Sequence, residues 1–299
     1  MNNEKSKIVV CGANGFTGRF ICEELLLKNY DFIAILRPGS ETGWMDMRNI
    51  KYKFADLKNQ FQLEKVINGN DILISAASIA FGNVPSIINA SKKVKINRTI
   101  FISSTAIYTK LNAKSKKARL SAELMIKKSN LDWTIIRPTM IYGTPNDRNI
   151  IKLIKWIDKY PILPVFGNGN FLQQPIHVKD VAKVIIDLIE NKNSFIRCFN
   201  IAGANPITFN EMIKIIKLEL RKKCLTIFLP ANIVVFLLKI LEFLKLKIPI
   251  KSEQVQRLNE HKSFSYNEAE KLLNFSPICF KEGIKYELEI YKKNLKNKI

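Results

Sequence analysis

Gly12, Gly15 and Gly18 recur every third residue in the stretch Gly12-Ala13-Asn14-Gly15-Phe16-Thr17-Gly18-Arg19. Glycines at this spacing leave the chemistry to the main chain. Gly12 permits a tight turn, Gly15 lets backbone approach a diphosphate, and Gly18 lets a helix pack closely on a strand. A helix beginning here presents free N–H groups and the positive end of its dipole to phosphate oxygens. Asn14, Phe16 and Thr17 belong to the same loop and are expected to line the ligand. A second group that could do chemistry is the cation in Ile35-Leu36-Arg37-Pro38-Gly39-Ser40. A site selective for NAD places a carboxylate at this point to hold the ribose hydroxyls, but the nearest acid, Asp31, comes too early. The Arg37 guanidinium suits a 2′-phosphate instead, so NADP(H) is expected over NAD(H). His177, one of two histidines, has an ordinary pKa near 6.5 and invites an acid–base role. Hydrogen bonding or packing on the substrate side is the simpler expectation for it.

The elements that must position these groups follow from the periodicity. Apolar runs at Ile8–Cys11, Phe32–Leu36, Tyr52–Phe54, Ile72–Ser75, Thr99–Ser103, Trp133–Arg137 and Cys198–Ile201 read as strands. Helical patterns at Thr17–Lys28, Phe61–Ile67, Val84–Lys93, Ala118–Lys128 and Val181–Glu190 alternate with them. That alternation predicts an α/β fold with a doubly wound, mostly parallel sheet, and strands apolar on both faces predict helices on both sides. Beyond Gly143 the pattern loosens, with a loop or short strand over 161–169. From Thr208 the chain reads as helices at Phe209–Arg221, Ala231–Leu246, Ser252–Leu258, Asn267–Leu273 and Lys281–Tyr291. The expected organisation is a dinucleotide-binding domain from 1–143 and 176–203, and a smaller helical lobe from 144–175 and 204–299.

The glycine loop, spaced GxxGxxG, resembles that of the short-chain dehydrogenase/reductase superfamily, and its wording is similar to the atypical branch. Later segments fall in the order of the extended epimerase/dehydratase type. Asp56-Leu57 resembles the pair that contacts adenine, and Ala76 and Ala77 sit where small residues leave room for the dinucleotide. Ser104 in Ile102-Ser103-Ser104-Thr105-Ala106-Ile107-Tyr108 matches the active-site Ser/Thr. Ile136-Arg137-Pro138-Thr139-Met140-Ile141-Tyr142-Gly143 resembles the segment passing the nicotinamide, which places Pro138 at the cofactor and Tyr142 on the substrate side. The segment around His177-Val178-Lys179-Asp180, Phe199-Asn200-Ile201-Ala202-Gly203 and Phe275-Ser276-Pro277 are also similar. The resemblance covers nearly the whole chain and implies an NAD(P)-dependent oxidoreductase or epimerase acting on a sugar-nucleotide, lipid-linked or similar alcohol or carbonyl substrate.

One departure matters for the reaction. The family's proton exchange uses a Tyr with a Lys four residues later on one helix face, the Lys helping to lower the phenol pKa. Here Ser115 stands where the Tyr belongs and Arg119 where the Lys belongs, and none of the eight tyrosines has Lys at the fourth following position. Arg119 could still reach the nicotinamide ribose, but a guanidinium is no proton relay at neutral pH. Ser104 and Arg119 are therefore the candidate catalytic residues, and a dinucleotide-binding protein without catalysis, acting as a sensor or assembly subunit, is the alternative.

Composition closes other routes. The chain has 299 residues, with 48 Lys and Arg against 26 Asp and Glu, for a net charge of +22. Ten of those cations are Arg and 38 are Lys, scattered along the chain, which reads as solvated faces rather than a nucleic-acid groove. Five dispersed cysteines without a CxxC pair exclude a structural zinc motif and fit a reducing, cytoplasmic location. The N-terminus up to Lys7 is polar, so no secretory signal is expected. The most apolar segment, Ala231–Leu246, carries Lys239, Glu242 and Lys245 in one narrow stripe. Its expected fate is burial or an oligomer contact, with peripheral membrane contact the other reading. The oligomeric state is left open.

Overall fold

The computed structural model describes residues 6–96, 98–246, 248 and 250–296, so the N-terminal stretch up to residue 5 and Lys247 lie outside the described residues. Six strands and five helices alternate through the first half of the chain. They are β1 (Ile8–Cys11), α1 (Phe16–Leu27), β2 (Phe32–Leu36), α2 (Gly43–Asp46), β3 (Tyr52–Phe54), α3 (Gln60–Ile67), β4 (Ile72–Ser75), α4 (Val84–Lys93), β5 (Arg98–Ile102), α5 (Lys114–Lys127) and β6 (Asp132–Pro138). The second half runs β7 (Ile141–Tyr142), α6 (Ile150–Lys159), β8 (Ile162–Phe166), β9 (Leu172–Gln173), β10 (Ile176–His177), α7 (Val178–Asp187), β11 (Arg197–Ile201) and β12 (Ile207–Thr208). It ends with α8 (Phe209–Leu220), β13 (Leu225–Leu229), α9 (Ala231–Phe243), α10 (Ser252–Leu258), α11 (Asn267–Leu273) and α12 (Phe280–Lys296).

Seven strands form one sheet in the order β11-β6-β5-β4-β1-β2-β3, with every pairing parallel. The inner strands β1, β2 and β4 are covered on both faces, which is why they are near-continuous apolar runs, whereas the edge strand β3 is exposed at Lys53 and Phe54. Ile8, Val10, Ile74, Ile100 and Ile136 face a layer containing α1 and α7, while Val9, Cys11, Leu73, Phe101 and Ile135 face α3, α4 and α5. Chain order reverses between β1 and β4, and in doubly wound folds the ligand crevice lies beyond the strand ends at that switch point. Register makes the crevice level: Cys11 pairs with both Ile35 and Ser75, and Ser75 with Phe101. The loops carrying Gly12, Arg37, Ala76 and Ser104 thus leave the sheet along one edge.

A third apolar cluster sits in the second half, where α6, α8 and α12 pack with β8. The sequence reading ended its pattern at Gly143 and so passed over α6, whose Ile150, Ile151, Ile154 and Ile157 are all buried. It also read only helices after Thr208, whereas Leu225–Leu229 forms β13, parallel to β8. The 204–299 stretch does not stay in one body. Its α11 buries Ala269 and Leu273 against the sheet, in the same layer as α1 and α7.

Candidate functional site

The glycine loop is built so that side chains cannot enter it. Gly12 has a φ of +77°, and a Cβ there would lie 2.7 Å from the Ala77 nitrogen. A Cβ on Gly18 would lie within the contact distance of the Gly12 carbonyl and 2.8 Å from Ala13 Cα, so helix and loop touch main chain to main chain. Gly15 is the N-cap of α1 and is exposed. Some helices of the chain carry a side-chain cap, while α4, α5, α6 and α9, like α1, have none; α1 alone of these starts from the glycine loop. Asn59 caps α3, His177 caps α7, and Thr208 with Glu211 forms a full capping box on α8. The N-terminus of α1 has no side-chain cap and no acidic residue in its first turn. Uncapped N–H groups and an undiminished dipole end are what an anion needs, so the residues present fit a dinucleotide diphosphate.

The remaining cofactor candidates surround that helix end. Asn14 is half-buried; its amide donates to the Glu41 carbonyl and its Oδ1 accepts from Arg19 at 2.6 and 3.0 Å. Phe16 and Thr17 are half-buried in the first turn of α1. Arg37 is exposed, and its guanidinium makes no hydrogen bond or ion pair among the described residues. Asp56 is exposed with Oδ1 accepting from the Lys58 nitrogen at 3.0 Å, and Leu57 packs into the α3–α4 layer. Ala76 donates its N–H to the Cys11 carbonyl, fixing the small end of β4 beside the loop. Pro138 ends β6, and its carbonyl accepts from Thr105 Oγ1 at 3.3 Å.

At the other end of the crevice, Ser104 caps the turn Thr105–Tyr108: its Oγ accepts from the Ala106 nitrogen at 3.2 Å. The hydroxyl proton is left to donate elsewhere. Arg119 lies half-buried on α5, one turn from Ser115, whose carbonyl it bonds at 3.2 Å. Burial, then the nearby Arg257, pushes the Arg119 pKa down. The sequence did not show the chain of bonds beside these residues. Glu123 on α5 holds Arg137 through two bonds of 3.0 and 2.6 Å and accepts from Ser103 Oγ at 2.7 Å. Arg137 Nη1 donates to Tyr108 Oη at 2.8 Å, and Tyr108 Oη donates to Asn200 Oδ1 at 3.2 Å. A phenol therefore does stand at the crevice, held by a guanidinium rather than an ammonium.

The segment after α10 comes against this phenol. The Phe264 ring lies 5.5 Å from that of Tyr108, and Glu260 accepts from Thr109 Oγ1 at 2.6 Å and the Lys110 nitrogen at 2.8 Å. Lys262 is pushed down to about 8 by burial and by Arg257. Arg257 thus repels both Arg119 and Lys262, while Lys262 Nζ donates to Gln173 Oε1 at 3.0 Å, Arg257 pairs with Glu253 at 4.0 Å and Glu260 is bound to a loop.

Tyr142 and His177, expected on the substrate side, are instead sealed in the core of the second half. Their rings are 5.4 Å apart and both are fully buried beneath α12, where Gly283 approaches Tyr142 Oη. His177 Nδ1 caps α7 by accepting from the Lys179 nitrogen, and burial with two lysines lowers its pKa to about 4. Among the described residues, neither Tyr142 Oη nor His177 Nε2 has a hydrogen-bond partner. The cause is topology: the parallel pair β7–β10 carries both residues under the C-terminal helix. Nearby, burial and a hydrogen bond to Asp147 push Glu287 up to about 10.

Comparison with known proteins bears on the same residues. Residues 12–192, more than half of the chain, match the NAD(P)H-binding family. The Arabidopsis thaliana chloroplast stem-loop binding protein of 41 kDa b is 24% identical over 71% of this chain. Subunit 9 of the NADH dehydrogenase 1 alpha subcomplex from Dictyostelium discoideum is 24% identical over 69% of it. The chain spans 62% of the length of either relative. The solved structure of UDP-glucose 4-epimerase from Thermotoga maritima with UDP-glucose superposes with a TM-score of 0.78, covering 97% of this chain and 99% of that one at 16% identity.

Proposed function

We propose that the chain, which belongs to the NAD(P)H-binding family, is an atypical member of the short-chain dehydrogenase/reductase superfamily with the extended epimerase/dehydratase fold. From that premise we propose that it is an oxidoreductase that prefers NADP(H) to NAD(H) and acts on a carbonyl or alcohol substrate bearing a negative charge, such as a sugar nucleotide. The carrying observation is the bare N-terminus of α1 beside the unpaired guanidinium of Arg37, on a strand end without a carboxylate. When bound, the dinucleotide supplies or accepts the hydride.

The chain's own residues have separable tasks. Gly12, Gly15 and Gly18 leave room for the diphosphate, Arg37 pairs with the 2′-phosphate, and Asp56-Leu57 contacts adenine. Arg119, Arg257 and Lys262 hold the substrate's anionic part. Ser104 donates its hydroxyl proton to the substrate oxygen. In the reducing direction Tyr108 gives its phenolic proton to that oxygen as hydride reaches the carbon, and Arg137 offsets the charge left behind. Tyr108 is 45% exposed, so solvent restores the proton.

Turnover of a carbonyl and sugar-nucleotide panel tests this assignment. Tyr108→Phe and Ser104→Ala should each lower kcat by roughly 10²–10⁴-fold while NADPH affinity stays within about twofold. Full turnover by Tyr108→Phe would remove the phenol from the mechanism. The second reading, cofactor binding without catalysis, is favoured by Ser115 and Arg119 replacing the usual pair and by the Dictyostelium relative's name as a complex subunit. Tight NADPH binding with no turnover of any panel member would select it.

A further inference from the structure

The segment Ala231–Phe243 resolves one of the sequence's open questions by where it lies. No residue of α9 is buried in the chain, so intramolecular burial does not explain its composition. Ile233, Phe236, Leu237, Ile240, Phe243 and Leu244 are spaced by three or four and lie on one helix face. All six are exposed, Phe243 to 86%. Val234, Val235, Leu238 and Leu241, on the other side, are half-buried, and α10 is the helix that packs against α9. Glu242 is occupied as well, accepting from the Ser252 nitrogen at 2.7 Å and its hydroxyl at 2.8 Å. The polarity of an ordinary surface helix is inverted here, with apolar side chains outward and the carboxylate tied down. Before it, β13 leaves Leu225, Phe228 and Leu229 exposed too.

We propose that this face docks the protein on an anionic lipid bilayer, with α9 lying in the interface. A helix of 13 residues is about 20 Å long, against a hydrocarbon core of about 30 Å, and no described helix is long and apolar enough to cross. Charge selects lipid over a second copy of the chain. Residues 214–251 include nine Lys or Arg, of which Lys222 is paired with Asp158, and two Asp or Glu, one of the latter being the Glu242 that Ser252 binds. Lys239, Lys245 and Lys251 are exposed around the apolar stripe. A twofold contact would set this basic surround against its own image, whereas anionic headgroups complement it. The inference is independent of the proposed reaction.

Flotation of the full chain with phosphatidylcholine vesicles, with and without phosphatidylglycerol, tests it. The native protein floats with the anionic vesicles and much less with the neutral ones, and added salt weakens the binding. The double variant Phe236→Ser/Phe243→Ser removes only exposed side chains, so its melting temperature stays put while its partition falls by more than about tenfold. Equal flotation of variant and native protein, no flotation with anionic vesicles, or no preference for them overturns the proposal. So does a dimer by light scattering that the variant dissociates, which would assign the face to a second copy.

Discussion

Arg37 shows how much one side chain at one strand end can decide. It stands exposed beyond β2, in register with the loop after β1, and no carboxylate competes for it. On the proposed NADP(H) preference, replacing it with Asp exchanges a partner for phosphate with one for ribose hydroxyls. Arg37→Asp should shift the NADPH-to-NADH affinity ratio toward NADH by about 1–3 kcal/mol, roughly fivefold to 150-fold, in a fluorescence titration. An unchanged ratio would move the 2′-phosphate contact elsewhere. The glycine loop could be placed from sequence because its strand, turn and helix are contiguous. Tyr108 could not, because its partners Arg137 and Asn200 are 29 and 92 residues away. His177 misled for the opposite reason: its ionisable ring is plain in the sequence, but its burial depends on α12, about a hundred residues on.

At the scale of elements, the seven sheet strands lie within a residue of where the apolar runs put them, since both-face burial makes each run continuous and turns bound it. The misses have equally local causes. Leu225–Leu229 merges with α9 into one greasy stretch broken only by Pro230, so strand and helix read as a single element. The C-terminal helix α12 docks through Phe280, Ile284, Leu288 and Tyr291, and among them it buries a polar group whose partner lies far off in the chain. Glu287 Oε2 accepts from the Gly143 nitrogen at 3.0 Å, and Oε1 finds no donor. A proton kept by Glu287 turns the contact with Asp147 into a hydrogen bond, in line with a pKa raised to about 10 by burial and that bond. The folded state holds this proton where the unfolded chain, with an ordinary carboxylate, has lost it. The stability it contributes is complete below about pH 4.5 and lost as pH climbs toward about 10, at no more than about 1.4 kcal/mol per pH unit. Glu287→Gln keeps a neutral donor at all these pH values. Its melting temperature should therefore fall less than that of the native protein between about pH 6 and pH 9. Parallel curves would show that Glu287 is ionised in the fold.

For the whole molecule, the apolar face of α9 and the cation Arg257 are linked through one short helix. The α10 helix packs on α9 and carries Arg257. The net charge of +22 gave no such map; only the fold separates lysines on solvated faces from cations crowded at the crevice. What everything else depends on is that the first helix holds a diphosphate at its open end. Gly15→Asp probes that most directly: unlike Gly12 and Gly18, the extended N-cap Gly15 would bring an added Cβ only against the Gly12 carbonyl, at 3.2 Å, which a small shift relieves, and Asp is a favoured N-cap whose carboxylate occupies and repels from the same N–H groups. Calorimetric titration of the native chain with NADPH should show saturable binding, tighter than that of NADH, and Gly15→Asp should abolish it at an unchanged melting temperature. Native protein that binds neither dinucleotide, or a Gly15→Asp variant that binds as well as native, would contradict the account.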